Sequence, residues 1–282
     1  MNIGIVGLGL IGGSLAKSIK RETTDTVLGT DISVSTIHKA KLLEAIDLEL
    51  TDERIGICDI ILVALYPGDI VRWVKEHSHQ FKPDCIVMDC GGVKQSIVDE
   101  LFPHAKEHGY TFVGAHPMAG VERWGFDSAQ GTMFKNASIL LVPPKGMSLE
   151  LLQGIKKFWG ALGFGNVEIT TAEEHDRRIA FTSQLAHVVS SAYVKSPTAQ
   201  RQHGFSAGSY KDMTRVARLN EAMWSELFLE NADFLTGEID GMLQHLTDFR
   251  QAVAAKDHDR LLALLREGRQ LKELADREDL EE

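Results

Sequence analysis

Cysteine is scarce in this sequence. Cys58, Cys85 and Cys90 are the only three in 282 residues, and no pair of them has the C-x-x-C spacing. Because an odd number of thiols cannot pair completely within one chain, the sequence favours neither a disulfide framework nor a zinc site, and no metal site is predicted. We expect reduced thiols in or beside strands, as in a cytoplasmic protein.

Long apolar runs and an excess of positive charge are also missing. No apolar stretch approaches the roughly 20 residues that span a bilayer. The first residues, MNIGIVGLGL, have no basic region ahead of the apolar run, so we expect no signal peptide. Asp and Glu outnumber Lys and Arg by 40 to 30, a net charge of -10. We therefore expect neither nucleic acid nor an anionic membrane as the main partner.

What the first half does contain is a series of short apolar runs separated by longer amphipathic stretches. The runs lie at 2–6, 26–30, 59–65, 85–89, 111–115 and 138–142. Continuous apolar runs are typical of strands covered on both faces, which predicts an α/β fold with a Rossmann-type, doubly wound, mostly parallel sheet. From about residue 148 apolar residues recur at helical spacing. We therefore predict a Rossmann domain at 1–146 and an all-helical domain at 147–282.

The first run leads into a glycine-rich turn, Gly7-Leu8-Gly9-Leu10-Ile11-Gly12, that opens a predicted helix. Gly7 is expected to make the tight turn, Gly9 to admit a pyrophosphate close to the backbone, and Gly12 to let the helix pack on the strand. The phosphate is then expected on the helix N-terminus, beside Leu10 and Ile11. A dinucleotide site is predicted rather than a plain chain reversal.

Asp31 ends the second predicted strand, about 20 residues after the glycine turn. Its carboxylate can accept hydrogen bonds from both hydroxyls of a ribose and would repel a 2′-phosphate. The residues that follow, Ile32-Ser33-Val34, offer no compensating arginine. The sequence therefore predicts NAD rather than NADP as the cofactor.

A later run, GAHPMAG at 114–120, carries a histidine at the expected carboxyl end of its strand. Ligands bind beyond that edge in open α/β sheets. Pro117 is expected to stop the strand and hold His116 at the rim of the cofactor crevice. Histidine is the usual proton-transfer group near neutral pH, so His116 is predicted to be catalytic.

At this point the sequence resembles the prephenate/arogenate dehydrogenase family over nearly its whole length. The motifs that carry the resemblance, in order, are GLGLIGGSLA at 7–16, Asp89-Cys90-Gly91-Gly92-Val93-Lys94, GAHPMAG, His175-Asp176, and Asp212-Met213-Thr214-Arg215-Val216-Ala217 followed by Trp224 and Asn231. Members of that family oxidatively decarboxylate prephenate to 4-hydroxyphenylpyruvate, or arogenate to tyrosine. The resemblance implies a homodimer made through a helical domain that also binds the substrate.

The resemblance also implies roles for individual residues. His116 matches the histidine that accepts the proton of the substrate hydroxyl, and His187 matches a second active-site histidine. Arg215 matches the arginine that binds a substrate carboxylate, where a planar guanidinium can bind with two hydrogen bonds. Trp224 matches a tryptophan near the substrate, and Gly92 lies in the stretch that contacts the nicotinamide end of the cofactor.

The sequence departs from the family at three places. Gly92 stands where a serine is common, so the hydroxyl that can orient the catalytic histidine is missing. The stretch S-H-L-P-H appears here as Ser183-Gln184-Leu185-Ala186-His187, and Lys211 replaces an arginine. These departures bear on how His116 is held and on the choice between prephenate and arogenate.

Two other functions remain open from the sequence. A β-hydroxyacid dehydrogenase has a similar organisation and uses a catalytic lysine in its helical domain, for which Lys195 or Lys211 could be nominated. A non-catalytic NAD-sensing regulator would bind the dinucleotide and oxidise nothing. The pair of His116 and Arg215 has no evident use in a sensor and favours the dehydrogenase.

Overall fold

The structure is a computed structural model that describes residues 1–202 and 204–281, with side chains described as far as Arg277. The chain divides into two compact units, Met1–Ala232 and Asp233–Glu282. All the candidate site residues belong to the first unit.

The described residues of the first unit form an eight-stranded sheet with the strand order β3-β2-β1-β4-β5-β6-β7-β8. The strands are β1 (Asn2–Val6), β2 (Thr26–Thr30), β3 (Leu48–Glu49), β4 (Ile60–Val63), β5 (Ile86–Asp89), β6 (Thr111–Met118), β7 (Ser138–Val142) and β8 (Asn166–Ile169). Neighbouring strands are parallel except β6 and β7. The predicted doubly wound, mostly parallel sheet is therefore confirmed. The strand order reverses between β1 and β4, where such sheets bind ligands at their carboxyl edge.

Helices connect and follow the strands. Those between strands are α1 (Leu10–Glu22), α2 (Val34–Leu42), α3 (Asp52–Ile55), α4 (Pro67–His77), α5 (Gln95–His108) and α6 (Leu149–Ala161). After β8 come α7 (Ala172–Ile179), α8 (Ala186–Tyr193), α9 (Gly208–Thr214), α10 (Glu221–Glu230), α11 (Ala232–Ala255) and α12 (His258–Glu281). A π-helical turn, Ala180–Leu185, joins α7 to α8.

Both faces of the sheet are buried, as the apolar runs predict. In β4, Ile60 and Leu62 belong to one hydrophobic cluster, whereas Ile61 and Val63 belong to another. All four side chains are buried. Successive residues of a strand point to opposite faces, so this alternation shows helices covering each side.

The strand that carries His116 is longer than expected. β6 continues through Pro117 to Met118 and pairs antiparallel with β7, with Pro117 opposite Ile139. The prediction that Pro117 stops the strand is wrong. β5 pairs with β6 only as far as Val113, so beyond that point one side of β6 has no strand neighbour. A residue without an N–H is tolerated at such an edge.

Two strands were not expected from the sequence. β3 contains two residues, and β8 (Asn166–Ile169) is mostly exposed and alternates polar with apolar residues, so neither has a continuous apolar run. β8 adds to the sheet after residue 146, inside the segment predicted to be all-helical. The helical C-terminal region begins at α7.

Candidate active site

The glycine turn follows β1 and requires glycine at two positions. Gly7 has a φ of 86°, and a Cβ there would lie 2.5 Å from the carbonyl oxygen of Ala64. A Cβ at Gly12 would lie 1.8 Å from the carbonyl oxygen of Gly7. The turn is held to β2 by a 2.9 Å hydrogen bond from the Gly7 N–H to the Thr30 carbonyl. Any side chain at Gly7 or Gly12 would therefore displace backbone.

The middle glycine of the motif, Gly9, faces open space. A Cβ at Gly9 would meet no described atom within 4 Å. α1 begins at the next residue, Leu10, and within the described residues no side chain caps its first turn. The N–H groups of Leu10 and Ile11 belong to the unpaired donors that begin every helix. Open space in front of a helix N-terminus fits the diphosphate of a dinucleotide.

Asp31 lies beside this turn, directly after β2. Its carboxylate accepts a 2.8 Å hydrogen bond from the N–H of Leu8 and another of 2.8 Å from the N–H of Ser33. Two backbone donors fix the carboxylate next to the glycine turn. Each oxygen still has a lone pair for a ribose hydroxyl, so the geometry fits the role that the sequence predicts.

His116 stands near the end of β6 and contacts a second histidine that sequence reasoning gave no role. Its Nδ1 lies 2.9 Å from Nε2 of His175, on α7. The Nδ1 of His175 lies 2.7 Å from Oδ1 of Asp176. The three side chains form a continuous hydrogen-bonded chain, and His175 and Asp176 are buried. In the sequence this pair is one of the motifs that carry the family resemblance, but the resemblance assigned it no role.

The imidazoles of His116 and His175 are held neutral. Burial lowers the pKa of His116 well below the usual value of a histidine, and the nearby His175 and Lys94 lower it further. Burial also lowers the pKa of His175, although its bond to Asp176 opposes that effect. A neutral imidazole has one nitrogen available to accept a proton, which a base requires.

A buried ion pair supports the same region from the β5 side. Lys94 and Asp89 are both fully buried, and the lysine Nζ contacts Oδ2 of the carboxylate. Asp89 also accepts hydrogen bonds from the N–H of Gly91 at 2.9 Å and of Ala115 at 3.1 Å. The carboxylate therefore joins the end of β5 to β6 one residue before His116.

Gly92, which stands where a serine is common in the family, follows β5 and lies beside a residue of α10. A Cβ at Gly92 would lie 3.1 Å from a terminal methyl of Leu227, on α10. The second departure, Gln184, is buried and structural: its Nε2 donates to the Leu227 carbonyl at 2.9 Å, and its Oε1 accepts from Asn231 at 2.8 Å. Gln184 thus binds the π-helical turn to α10.

His187 and Trp224 are brought together by α8 and α10. Their rings stack with centroids 3.6 Å apart at an angle of 27°. Nδ1 of His187 bonds to the Ser183 carbonyl at 2.9 Å, which leaves its other nitrogen for a ligand. Burial lowers the pKa of this histidine as well. The structure gives no contact between this pair and His116.

Arg215 lies in the short turn Arg215–Ala217 against which α8 packs. Its guanidinium is 63% exposed and forms an ion pair with Glu122, from the loop after β6. The arginine is thus tied to the segment that follows His116. Lys195 and Lys211, the lysines nominated for a β-hydroxyacid dehydrogenase, are both exposed.

The described residues also bear on three other features, namely a metal site, a membrane span and the cysteines. Among them, no three His, Cys, Asp or Glu side chains are grouped to hold a metal ion. None of the described helices combines the length and apolar content needed to cross a membrane. Cys58 and Cys85 are buried beside β4 and β5, where burial raises their thiol pKa to about 11 and about 12.

Two family models match the chain. The one described as prephenate dehydrogenase, nucleotide-binding domain, matches residues 15–167, and the one described as prephenate dehydrogenase, dimerization domain, matches residues 171–267. The two matches divide the chain between 167 and 171, and the boundary expected after residue 146 stays a prediction.

Known proteins are similar to this one along almost its entire length. A cyclohexadienyl dehydrogenase from Zymomonas mobilis is 31% identical over 277 residues, which cover 94% of this chain and 93% of that protein. The crystal structure of a prephenate dehydrogenase from A. aeolicus, in complex with hydroxyphenyl propionate and NAD+, has a TM-score of 0.82 at 28% identity and covers 98% of both chains. The arogenate dehydrogenase of Synechocystis has a TM-score of 0.80 at 25% identity over 98% of this chain and 100% of that one.

Proposed function

The chain belongs to the prephenate dehydrogenase family, and from this premise we propose that it converts prephenate to 4-hydroxyphenylpyruvate in tyrosine biosynthesis. The resemblance predicted from the sequence is confirmed. The protein is an oxidoreductase that uses NAD. Arogenate is the alternative substrate, because an arogenate dehydrogenase is also among the similar structures.

One observation carries the proposal. A neutral, partly buried His116 lies at the carboxyl edge of the sheet. At the same edge, β1 leads into the glycine turn that is proposed to bind the dinucleotide. Oxidation of prephenate removes a hydride from the ring carbon that bears the hydroxyl. The ring carboxylate leaves as carbon dioxide, and its bonding electrons complete the aromatic ring. The hydroxyl proton needs a base during this step, and returns when the phenol forms.

The site residues predicted from the sequence have these proposed roles. His116 accepts the hydroxyl proton, Arg215 leaves Glu122 to bind a substrate carboxylate, and the stacked pair of His187 and Trp224 lines the substrate side. The residues proposed to hold NAD are Gly7, Gly9, Leu10, Ile11, Gly12, Asp31 and, at the nicotinamide end, Gly92. When bound, NAD supplies the acceptor for the hydride.

The decisive experiment follows NADH absorbance with purified protein, NAD and either prephenate or arogenate. NADH from prephenate supports the proposal, and NADH from arogenate alone would replace it with the alternative substrate. The control is His116→Gln, which should lower turnover by about 10² to 10⁴ because it removes the general base. NADH from neither substrate, with NAD binding intact, would contradict the proposal.

The same readout, with a β-hydroxyacid in place of prephenate, separates the two other functions left open by the sequence. A β-hydroxyacid dehydrogenase would keep most of its rate in His116→Gln and lose it in Lys195→Ala or Lys211→Ala. A non-catalytic regulator would bind NADH and oxidise nothing. Both lysines are exposed, and neither is part of the hydrogen-bonded chain at His116.

We further propose a homodimer made through the helical part of the chain, and a cytoplasmic location, as expected from the sequence. The family model for residues 171–267 describes a dimerization domain. Within the second compact unit, several apolar side chains of α11 and α12 are exposed in one chain, namely Leu243, Leu246, Val253, Leu262 and Leu265. Light scattering should give about twice the mass of one chain, and replacing two of these leucines by glutamate should halve it.

A further inference from the structure

We propose that His175 and Asp176 are positioning residues that fix the proton of His116 on Nδ1 and so keep its Nε2 free to accept the substrate proton. The inference rests on the proposed function, since only that reaction uses the Nε2 lone pair. It also explains how His116 is held without the hydroxyl that is missing at Gly92.

The direction of the hydrogen bonds begins at Asp176. Its Oδ1 accepts from the backbone N–H of Lys94 at 2.8 Å, and its Oδ2 accepts from the N–H of Gln95 at 2.8 Å. These two groups begin α5, where a negative charge is favoured by the helix dipole. An ionised carboxylate donates no hydrogen bond, so the proton between Asp176 and His175 belongs to His175 Nδ1.

The protonation of the next two nitrogens follows from that assignment. Burial lowers the pKa of His175 and outweighs the bond to Asp176, which raises it, so the ring is neutral and its Nε2 has a lone pair. The contact of 2.9 Å between this nitrogen and Nδ1 of His116 then requires the proton to be on His116 Nδ1. A neutral His116 with that proton has its lone pair on Nε2, and no described residue bonds to that nitrogen.

Further buried hydrogen bonds fix Asp176, at the end of the hydrogen-bonded chain, in place. The carbonyl of Asp176 accepts a 2.8 Å hydrogen bond from Asn231, whose amide also bonds to Gln184. All three side chains are buried. α7 is thereby fixed to both α5 and α10, and His175 has little freedom to turn away from His116. A hydrogen bond within such a site orients the base at little entropic cost.

A purely structural role for the pair is the rival explanation, because Asp176 also joins α7 to α5. The test therefore changes His175 and keeps Asp176. In His175→Gln the side-chain amide can still accept from His116 and donate to Asp176, whereas His175→Leu can do neither. Each variant is made in the wild-type background and in His116→Gln, and thermal melting confirms that each is folded.

We expect His175→Leu to lower kcat by about 10- to 100-fold, less than the loss of the base itself, with the KM for NAD within about twofold. His175→Gln should recover most of that loss. In the His116→Gln background His175→Leu should have almost no further effect, because groups that act as a unit are not additive. Equal losses in both backgrounds, or a wild-type kcat in His175→Leu, would overturn the proposal.

The matched control is His104→Leu. His104 is a histidine of α5 that bonds to Tyr110 before the amino end of β6, and its replacement should keep the wild-type kcat.

A second measurement needs no turnover. With ¹⁵N-labelled histidine, NMR should show His116 with a protonated Nδ1 and an unprotonated Nε2, assigned by its loss in His116→Gln. The signals should shift toward a mixture of tautomers in His175→Leu. If prephenate and arogenate are not oxidised but this signature holds, the proposed function fails and the tautomer assignment stands. If the reaction proceeds with the proton on Nε2, the inference fails alone.

Discussion

Arg215 forms an ion pair with Glu122, and through it the turn after α9 is bound to the loop after β6. The sequence assigned Arg215 to a substrate carboxylate but gave Glu122 no role. In the role proposed for Arg215, a substrate carboxylate replaces Glu122 as the partner of the guanidinium. The affinity for substrate is then set by the difference between two ion pairs, and each partner can be tested separately.

Replacing Arg215 by alanine should raise the KM for prephenate by about 10- to 100-fold, because a hydrogen bond to a charged group contributes about 1.5–3 kcal/mol. The kcat should change little, since the carboxylate is bound both before and during the reaction. Arg215→Lys should be intermediate, because lysine cannot form two parallel bonds. Steady-state kinetics check this, with Lys211→Ala as the control on the preceding helix. An unchanged KM in Arg215→Ala would remove the arginine from the site.

The opposite effect is expected at Glu122. Glu122→Gln removes the carboxylate that competes with the substrate, so the KM for prephenate should fall, by at most about fivefold because an exposed ion pair contributes about 0–1 kcal/mol. Raising the salt concentration should narrow the difference in KM between the wild type and the variant, since salt screens the exposed Arg215–Glu122 pair that only the wild type has. A KM that rises in Glu122→Gln would show that the glutamate helps the substrate to bind.

The sequence predicted much of the fold because its strongest signals are local. The turn from Gly7 to Gly12 and the apolar run of β4 depend on neighbours along the chain, and both were located correctly. β8 was missed because a short, exposed edge strand in which polar and apolar residues alternate has no continuous apolar run. The end of β6 was misplaced because the effect of Pro117 depends on which strands lie beside it, which is a tertiary property.

The candidate site was predicted only in part, for the same reason. Asp31 directly follows β2 and His116 lies close to the end of β6, so the position of both follows from the strand pattern. The partners of His116 come from α7, 59 residues away along the chain, and no spacing rule connects them. Glu122 was also missed, because an exposed glutamate in a loop has no distinguishing pattern. Contacts between distant segments had to be read from the structure.

Asp31 should decide the choice between NAD and NADP. Asp31→Ser removes the repulsion of a 2′-phosphate, so kcat/KM for NADP should rise while that for NAD falls by about 10- to 100-fold, as expected for a lost hydrogen bond to a charged group. Initial rates with both cofactors check this. The control is Asp25→Ser, whose carboxylate pairs with the N-terminal ammonium instead. Unchanged use of NAD in Asp31→Ser would contradict the assignment.

Stability should decrease as the pH falls below about 6.5. Burial lowers the pKa of His116 and His175 in the folded protein, so the unfolded chain binds more protons in this range. The unfolding free energy then falls with pH, by at most about 1.4 kcal/mol per pH unit for each histidine, and this stability is fully present above the unfolded pKa of about 6.5. Urea unfolding at pH 7.5, 6.5 and 5.5 measures the slope. His116→Gln should reduce it, and an equal slope in both proteins would contradict the prediction.

Restoring the serine of the family tests how much the missing hydroxyl matters. In Gly92→Ser the new Cβ would lie 3.1 Å from a methyl of Leu227, so this side chain must shift, and we expect a loss of about 1–2 kcal/mol and a Tm lower by a few degrees. Shortening the neighbour in Gly92→Ser with Leu227→Val should recover part of that loss. The kcat should stay within about threefold of the wild type, because His175 already holds His116. A tenfold rise in kcat would instead mean that His175 alone orients the base poorly, and that this chain turns over more slowly than it could because Gly92 lacks a hydroxyl.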